Sequence, residues 1–213
     1  MPDTGLSLES VVIQQDGRTL VDISDHIAPG EVLTVMGPSG SGKSTLLSYV
    51  IGTLSDDFVA SGRVVLNGRD ITDLAPEQRR VGILFQGELL FPHLSVGENL
   101  AFGLRATVKG RAERKTQIEA ALDDIGLNGF ASRDPETLSG GQKARVALMR
   151  MLLSGPQALL LDEPFSRLDT ERRDQVRSLV FDRARAKGLP VLLVTHDHAD
   201  AEAAGGRVHR LSD

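Results

Sequence analysis

The segment GPSGSGKS, Gly37 to Ser44, constrains this chain more than any other. It follows the apolar run VLTVM and leads into KSTLLSYVIG, so it reads as a loop between a buried strand and a helix ended by Gly52. The spacing G-x-x-x-x-G-K-[ST] is that of a phosphate-binding loop. Gly37, Gly40 and Gly42 are expected to adopt conformations that turn successive N–H groups toward phosphate oxygens. Lys43 brings a point charge to the outer phosphates, and the Ser44 hydroxyl can ligate Mg²⁺. Pro38, Ser39, Ser41 and Thr45 complete the cradle expected to hold the nucleotide.

Strand and helix patterns alternate around this loop. SLESVVI and TLVDI read as β-structure, and RVVLNGRDI as two strands joined by a turn at Asn67–Gly68. VGILF, Leu159 to Leu161 and PVLLVTH are short apolar runs suited to buried parallel strands, and GRVHRL to an edge strand. Between Gly87 and Leu153 helical patterns dominate: SVGENLAFGL, AERKTQIEAALDDIG and GGQKARVALMRMLLSG. The expectation is one α/β core, residues 1–86 and 154–213, interrupted by a helical subdomain over 87–153. The 213 residues suffice for one substantial core with an inserted lobe.

A second constellation completes the chemistry. In ALLLDEP, Ala158 to Pro164, an apolar strand delivers two acids at its carboxyl end, where open α/β sheets bind ligands. Asp162 is placed to hold Mg²⁺, directly or through water, opposite Ser44. Glu163 is the natural general base for a water attacking the γ-phosphate. A nucleotide-hydrolysing site is the expectation.

LSGGQKARVALMR, Leu138 to Arg150, poses a question, because Ser139 and two glycines ahead of a helix form another anion site. With LSGGQ lying between the phosphate loop and ALLLDEP, the chain resembles the nucleotide-binding subunits of ATP-binding cassette (ABC) transporters over nearly its whole length. That resemblance implies an α/β P-loop NTPase cassette with a RecA-like parallel sheet, an N-terminal antiparallel portion and an inserted helical subdomain. It implies ATP and Mg²⁺ as ligands. It also answers the question: two cassettes pair head to tail, and Ser139 and Gly141 of one contact the γ-phosphate of ATP held by the other's Lys43, with Gly140 and Gln142 counted in the same nucleotide-binding signature. Gln86, closing VGILFQ, matches the glutamine that senses Mg²⁺ and the attacking water. His196 in VTHD matches the switch histidine that orients the water of Glu163, and SRLD, Ser166 to Asp169, the loop crossing the dimer interface. Asp197 and Asp200 read as solvated or capping residues outside the site.

One departure from the family concerns the base. An aromatic side chain that usually stacks on adenine is missing: the corresponding position is assigned to Gln15, and no Phe, Tyr or Trp precedes Tyr49. Weaker nucleotide binding or a looser preference for adenine is expected, with Arg18 as a partial replacement. After Gln86, GELLFPHLSVGENLAFGL resembles importer-type members. Leu89, Leu90, Phe91 and Pro92 read either as a contact surface for a membrane subunit or, for Phe91 especially, as the lobe's own core; His93 reads as a loop residue. The short chain most resembles small importer ATPases such as the thiamine type. The implied partners are transmembrane permease subunits and an external substrate-binding protein; an exporter ATPase or a non-transport ABC ATPase is the alternative.

Bulk composition excludes other classes. A formal charge of −5 offers no general excess of cations for nucleic acid. Cysteine is absent, which removes disulfides and thiolate metal sites. No apolar run reaches the about 18 residues of a membrane span, and MPDTGLSLES lacks the regions of a signal peptide. A cytoplasmic chain docked on the inner face of the membrane through permease subunits is expected.

Overall fold

The computed structural model describes residues 4–87, 90–166, 168 and 170–211. In chain order its elements are β1 (Leu6–Gln15), β2 (Arg18–Ile27), β3 (Val32–Met36), α1 (Lys43–Ile51), β4 (Val59–Leu66), β5 (Arg69–Asp70) and β6 (Val81–Leu84). Then follow α2 (Val96–Gly103), α3 (Arg111–Asp124), α4 (Gly140–Leu153), β7 (Ala158–Asp162), α5 (Thr170–Ala186), β8 (Val191–Val194), α6 (His198–Ala204) and β9 (Arg207–Arg210). They form two compact units: Met1–Ile83 with Gln157–Glu163 and Arg177–Asp213, and Leu84–Pro156 with Pro164–Val176.

The first unit holds two sheets. One is antiparallel, in the order β2-β1-β4-β5; the other has the order β6-β7-β8-β3-β9, with β7, β8, β3 and β9 running parallel. Strands β3 and β8 are buried at every position, as expected of apolar runs covered on both faces. The expected edge strand is β9. Asn67 and Gly68 both have positive φ, 50° and 76°, the signature of a type I′ turn between β4 and β5. Leu8, Ile13, Val21 and Leu66 of the antiparallel sheet share one hydrophobic cluster with Leu46, Leu47 and Val50 of α1 and with Leu33, Leu160 and Val194 of the parallel sheet. Burial of α1 between sheets fixes the helix that begins in the phosphate loop.

A buried cation holds the far end of that helix. Arg79 is 6% exposed and donates to the carbonyls of Tyr49 (2.9 Å) and Val50 (3.0 Å) in the last turn of α1. It also donates to Leu74 O (2.8 Å) and to Thr72 O. Helix C-terminal carbonyls lack intrahelical donors, and a guanidinium supplies them together with favourable charge. Gly52, at φ 87°, lets the chain turn here, and a Cβ at this position would lie 2.5 Å from Arg79 Nε.

The second unit is helical and organised by a fully buried Asn99. Its Oδ1 accepts from the N–H of Phe91 (2.8 Å), and its Nδ2 donates to the carbonyls of Phe91, Leu94 and Ser95. Ser95 caps α2 in a capping box with Glu98. Phe91 is half-buried, edge-on to Phe102 at 4.7 Å between centroids and beneath the Arg150 guanidinium at 4.9 Å. The ring is thus partly packed within the lobe and partly open, beside a Phe102 that is 70% exposed; Leu89 lies outside the described residues. Helices α5 and α6 were not anticipated from the sequence. In α5, Val176, Val180 and Ala184 recur at helical spacing and are buried, but charged residues crowd the positions between them.

Candidate active site

The phosphate loop lies between β3 and α1. Gly40 and Gly42 have φ 85° and 88°, the left-handed region that glycine enters freely. Gly37 departs from expectation: its φ is not positive, and its role is steric, since a Cβ there would lie 2.5 Å from Ser41 Oγ. Pro38, Ser39 and Gly40 are exposed, Ser41, Gly42 and Lys43 are buried, and Thr45 is half-buried in the first turn of α1. Lys43 Nζ folds back on the loop and donates to the carbonyls of Gly37 (2.9 Å) and Pro38 (2.6 Å). The buried Ser41 Oγ has no hydrogen-bond partner. An unpaired buried hydroxyl, a buried ammonium and free N–H groups at a helix N-terminus fit a phosphate chain. On the antiparallel side, Leu20 and Val21 of β2 approach Gly42, and Arg18 lies exposed two residues earlier.

Strands β7 and β8 deliver the acids and the histidine. Ser44 Oγ donates to Asp162 Oδ1 at 3.1 Å. Burial raises the Asp162 carboxyl above its ordinary range, opposed by the Ser44 hydrogen bond and Lys43 and reinforced by Glu163. Two oxygen donors so close together suit a hard cation that completes its shell with phosphate and water. Among the described residues, no group of three His, Cys, Asp or Glu could form a closed metal cage.

Glu163 directly follows β7 with φ 44°, a strained conformation for a residue bearing a Cβ, costing about 1–2 kcal/mol. Its N–H donates to Val194 O (2.9 Å), and its Oε1 meets His196 Nδ1 at 2.8 Å. A carboxylate only accepts, so Nδ1 carries the hydrogen and Nε2 faces elsewhere. Glu163 is thereby held through Oε1 at one end of a hydrogen bond.

In the second unit, Ser139 caps α4: its Oγ accepts from Gln142 N–H, and Gln142 Oε1 accepts from Ser139 N–H at 2.9 Å. Gly140 is half-buried and Gly141 buried in the first turn. Gln86 is exposed, and its Nε2 donates to Ser166 Oγ at 3.3 Å. Asp169 lies outside the described residues.

Two expectations about neighbouring acids resolve differently. Asp197 caps α6, accepting from Ala199 N–H at 2.7 Å. Asp200, expected to be solvated or capping, is instead 1% exposed and paired with Arg177 at 3.4 Å. Its burial follows from Arg177, which arrives from α5, an element the sequence did not announce.

A strand–glycine loop–helix cradle, with a hydroxyl–carboxylate pair and a glutamate–histidine pair on adjoining strands, defines a P-loop nucleoside triphosphatase cassette. Comparison gives the family: the family model for ABC transporters matches residues 20–166. The chain is 50% identical over 188 residues to the uncharacterized ABC transporter ATP-binding protein YnjD of Escherichia coli, covering 88% of this chain and 86% of that one. It is 44% identical over 210 residues to the thiamine import ATP-binding protein ThiQ of Jannaschia sp., covering 98% and 89% respectively. The Fe(3+) ions import ATP-binding protein FbpC of Streptomyces avermitilis matches at 42% over 204 residues, covering 95% of this chain and 58% of FbpC. The chain belongs to the ABC transporter family, as an ATP-binding subunit, and it is an ATPase. Among the described residues, no helix is long and apolar enough to cross a membrane.

Proposed function

We propose that this chain is the ATP-hydrolysing subunit of an importer for a small nutrient, working as a head-to-tail pair of cassettes on permease subunits at the inner face of the membrane. The adjoining Ser44–Asp162 and Glu163–His196 pairs carry the reading. In it, ATP lies on Gly37 to Thr45, with Lys43 leaving its loop carbonyls for the outer phosphates. Mg²⁺ held by Ser44 and Asp162 would neutralise charge on the β- and γ-phosphates. Glu163 takes the proton of a water that attacks the γ-phosphorus as the bond to the bridging oxygen of ADP breaks. His196 orients that glutamate and water.

The signature residues Ser139 to Gln142 complete the other copy's site, so nucleotide joins the two copies and hydrolysis releases them. Relatives named for thiamine and Fe(3+) import support import over export, and with it an external substrate-binding protein. The test is size-exclusion chromatography with light scattering on Glu163→Gln, with and without Mg-ATP. A shift from monomer to dimer is expected. Normal hydrolysis by this variant would remove Glu163 from its role. A monomer at saturating ATP, both alone and with the permease, would remove the composite site.

A further inference from the structure

His196 presents a positioning problem. Its side chain is 62% exposed while its partner Glu163 is 19% exposed, so packing alone does not aim the ring. Its hydrogen bond to Glu163 holds the ring, and the backbone of the turn between β8 and α6 sets where the ring starts. That turn is held by side chains buried beneath it.

Thr195, 1% exposed, donates its hydroxyl to Asp200 Oδ2 at 3.2 Å and accepts from Asp197 N–H at 3.0 Å. One hydroxyl therefore bridges the residue before His196, the residue after it and the first turn of α6. Asp200 is tied in turn to Arg177 of α5 through its Oδ1 at 3.4 Å, and the Arg177 guanidinium donates to Ala199 O at 2.8 Å. Asp197 Oδ1 closes the turn on Ala199 N–H at 2.7 Å. Buried polar networks fix a single geometry when their members are satisfied; here Arg177 Nε meets Asp200 as a charge rather than through a hydrogen bond.

We propose that Thr195, Asp200 and Arg177 are positioning residues for His196: they lock its turn so that Nδ1 meets Glu163, and they link that turn to α5. The inference rests on the role given to His196 above. Displacing a catalytic group by about 1 Å can lower turnover about 100-fold, so the lock acts on kcat rather than on nucleotide binding.

Thr195→Val keeps the shape and removes the hydroxyl; Thr195→Ser keeps the hydroxyl. Single-turnover ATP hydrolysis with Mg-ATP should fall about 10- to 100-fold in the Val variant, with KM within about twofold, and recover to within about threefold in the Ser variant. In a His196→Ala background, Thr195→Val should change the rate by less than about twofold, because the residue through which it acts is gone. Nitrogen-edited NMR of the imidazole supplies a readout independent of turnover: the hydrogen-bonded Nδ1–H signal should persist with Ser and vanish with Val. If Thr195→Val fails to fold, Asp200→Asn is measured in the same way.

Unchanged turnover and an unchanged Nδ1–H signal would overturn the lock, as would equal losses in the presence and absence of His196. Full activity of His196→Ala would instead overturn the role of His196, while the NMR signal would still report on the lock.

Discussion

Arg79→Ala is expected to lower the unfolding free energy by about 3–5 kcal/mol. The guanidinium donates to Leu74 O, Tyr49 O, Val50 O and Thr72 O. At about 1.5–3 kcal/mol for each bond to a charged group, four bonds set a ceiling of about 6–12 kcal/mol. Water entering the vacated space recovers part of that, which brings the loss to the smaller figure. For a chain of this size the midpoint of thermal unfolding should fall by about 10 °C. Urea unfolding followed by circular dichroism tests the magnitude: the midpoint should drop while the slope stays constant. Arg79→Lys should recover only part, since three donors on one ammonium cannot serve the same fork of acceptors. Gly52 offers an internal control. Gly52→Ala should destabilise the native chain more than the Arg79→Ala chain, because its Cβ would press on Arg79 Nε from 2.5 Å. A loss below about 1 kcal/mol for Arg79→Ala would refute the reasoning, because carbonyls that rehydrate so freely need no buried cation.

Burial raises the Asp162 carboxyl above its ordinary value of 3.8, so the folded chain holds this proton more tightly than the unfolded chain. The group's contribution to stability is complete below the ordinary carboxylate range and lost as pH rises through the raised value. Asp162→Asn should therefore raise the nucleotide-free urea midpoint at pH 7, by a margin that narrows toward pH 4; a margin independent of pH would contradict this. Ser139→Ala removes the cap of α4 and should cost about 1 kcal/mol by the same urea assay. Ser139→Arg should abolish hydrolysis while nucleotide binding to the single cassette, measured by calorimetry, is retained; loss of both would mean that the signature loop serves its own chain's site.

The phosphate loop, the DE pair at the end of β7, His196 and the buried strands were legible because each is written locally: glycine spacing, a continuous apolar run, an acid at a strand's end. What escaped was non-local. Asp200 follows His196 by only a few positions and reads as a solvated acid, because its partner Arg177 comes from α5. The buried stripe of α5, Val176, Val180 and Ala184, is obscured by the charges between its members. Arg79 stands beside Arg80 just after the exposed Pro76–Gln78 turn, and nothing local distinguishes the guanidinium that caps α1 from its exposed neighbour. Gly37 was expected to serve by its φ and serves by the space it leaves for Ser41 Oγ, a contact made inside the folded loop. The division has one physical cause. Groups aimed at a ligand must sit at fixed spacings along one loop or strand end, whereas groups that hold those loops steady need only arrive from somewhere, and the topology decides where. Substitutions at supporting residues outside the motifs, such as Arg79 and Arg177, should accordingly change stability or rate without altering any recognisable motif.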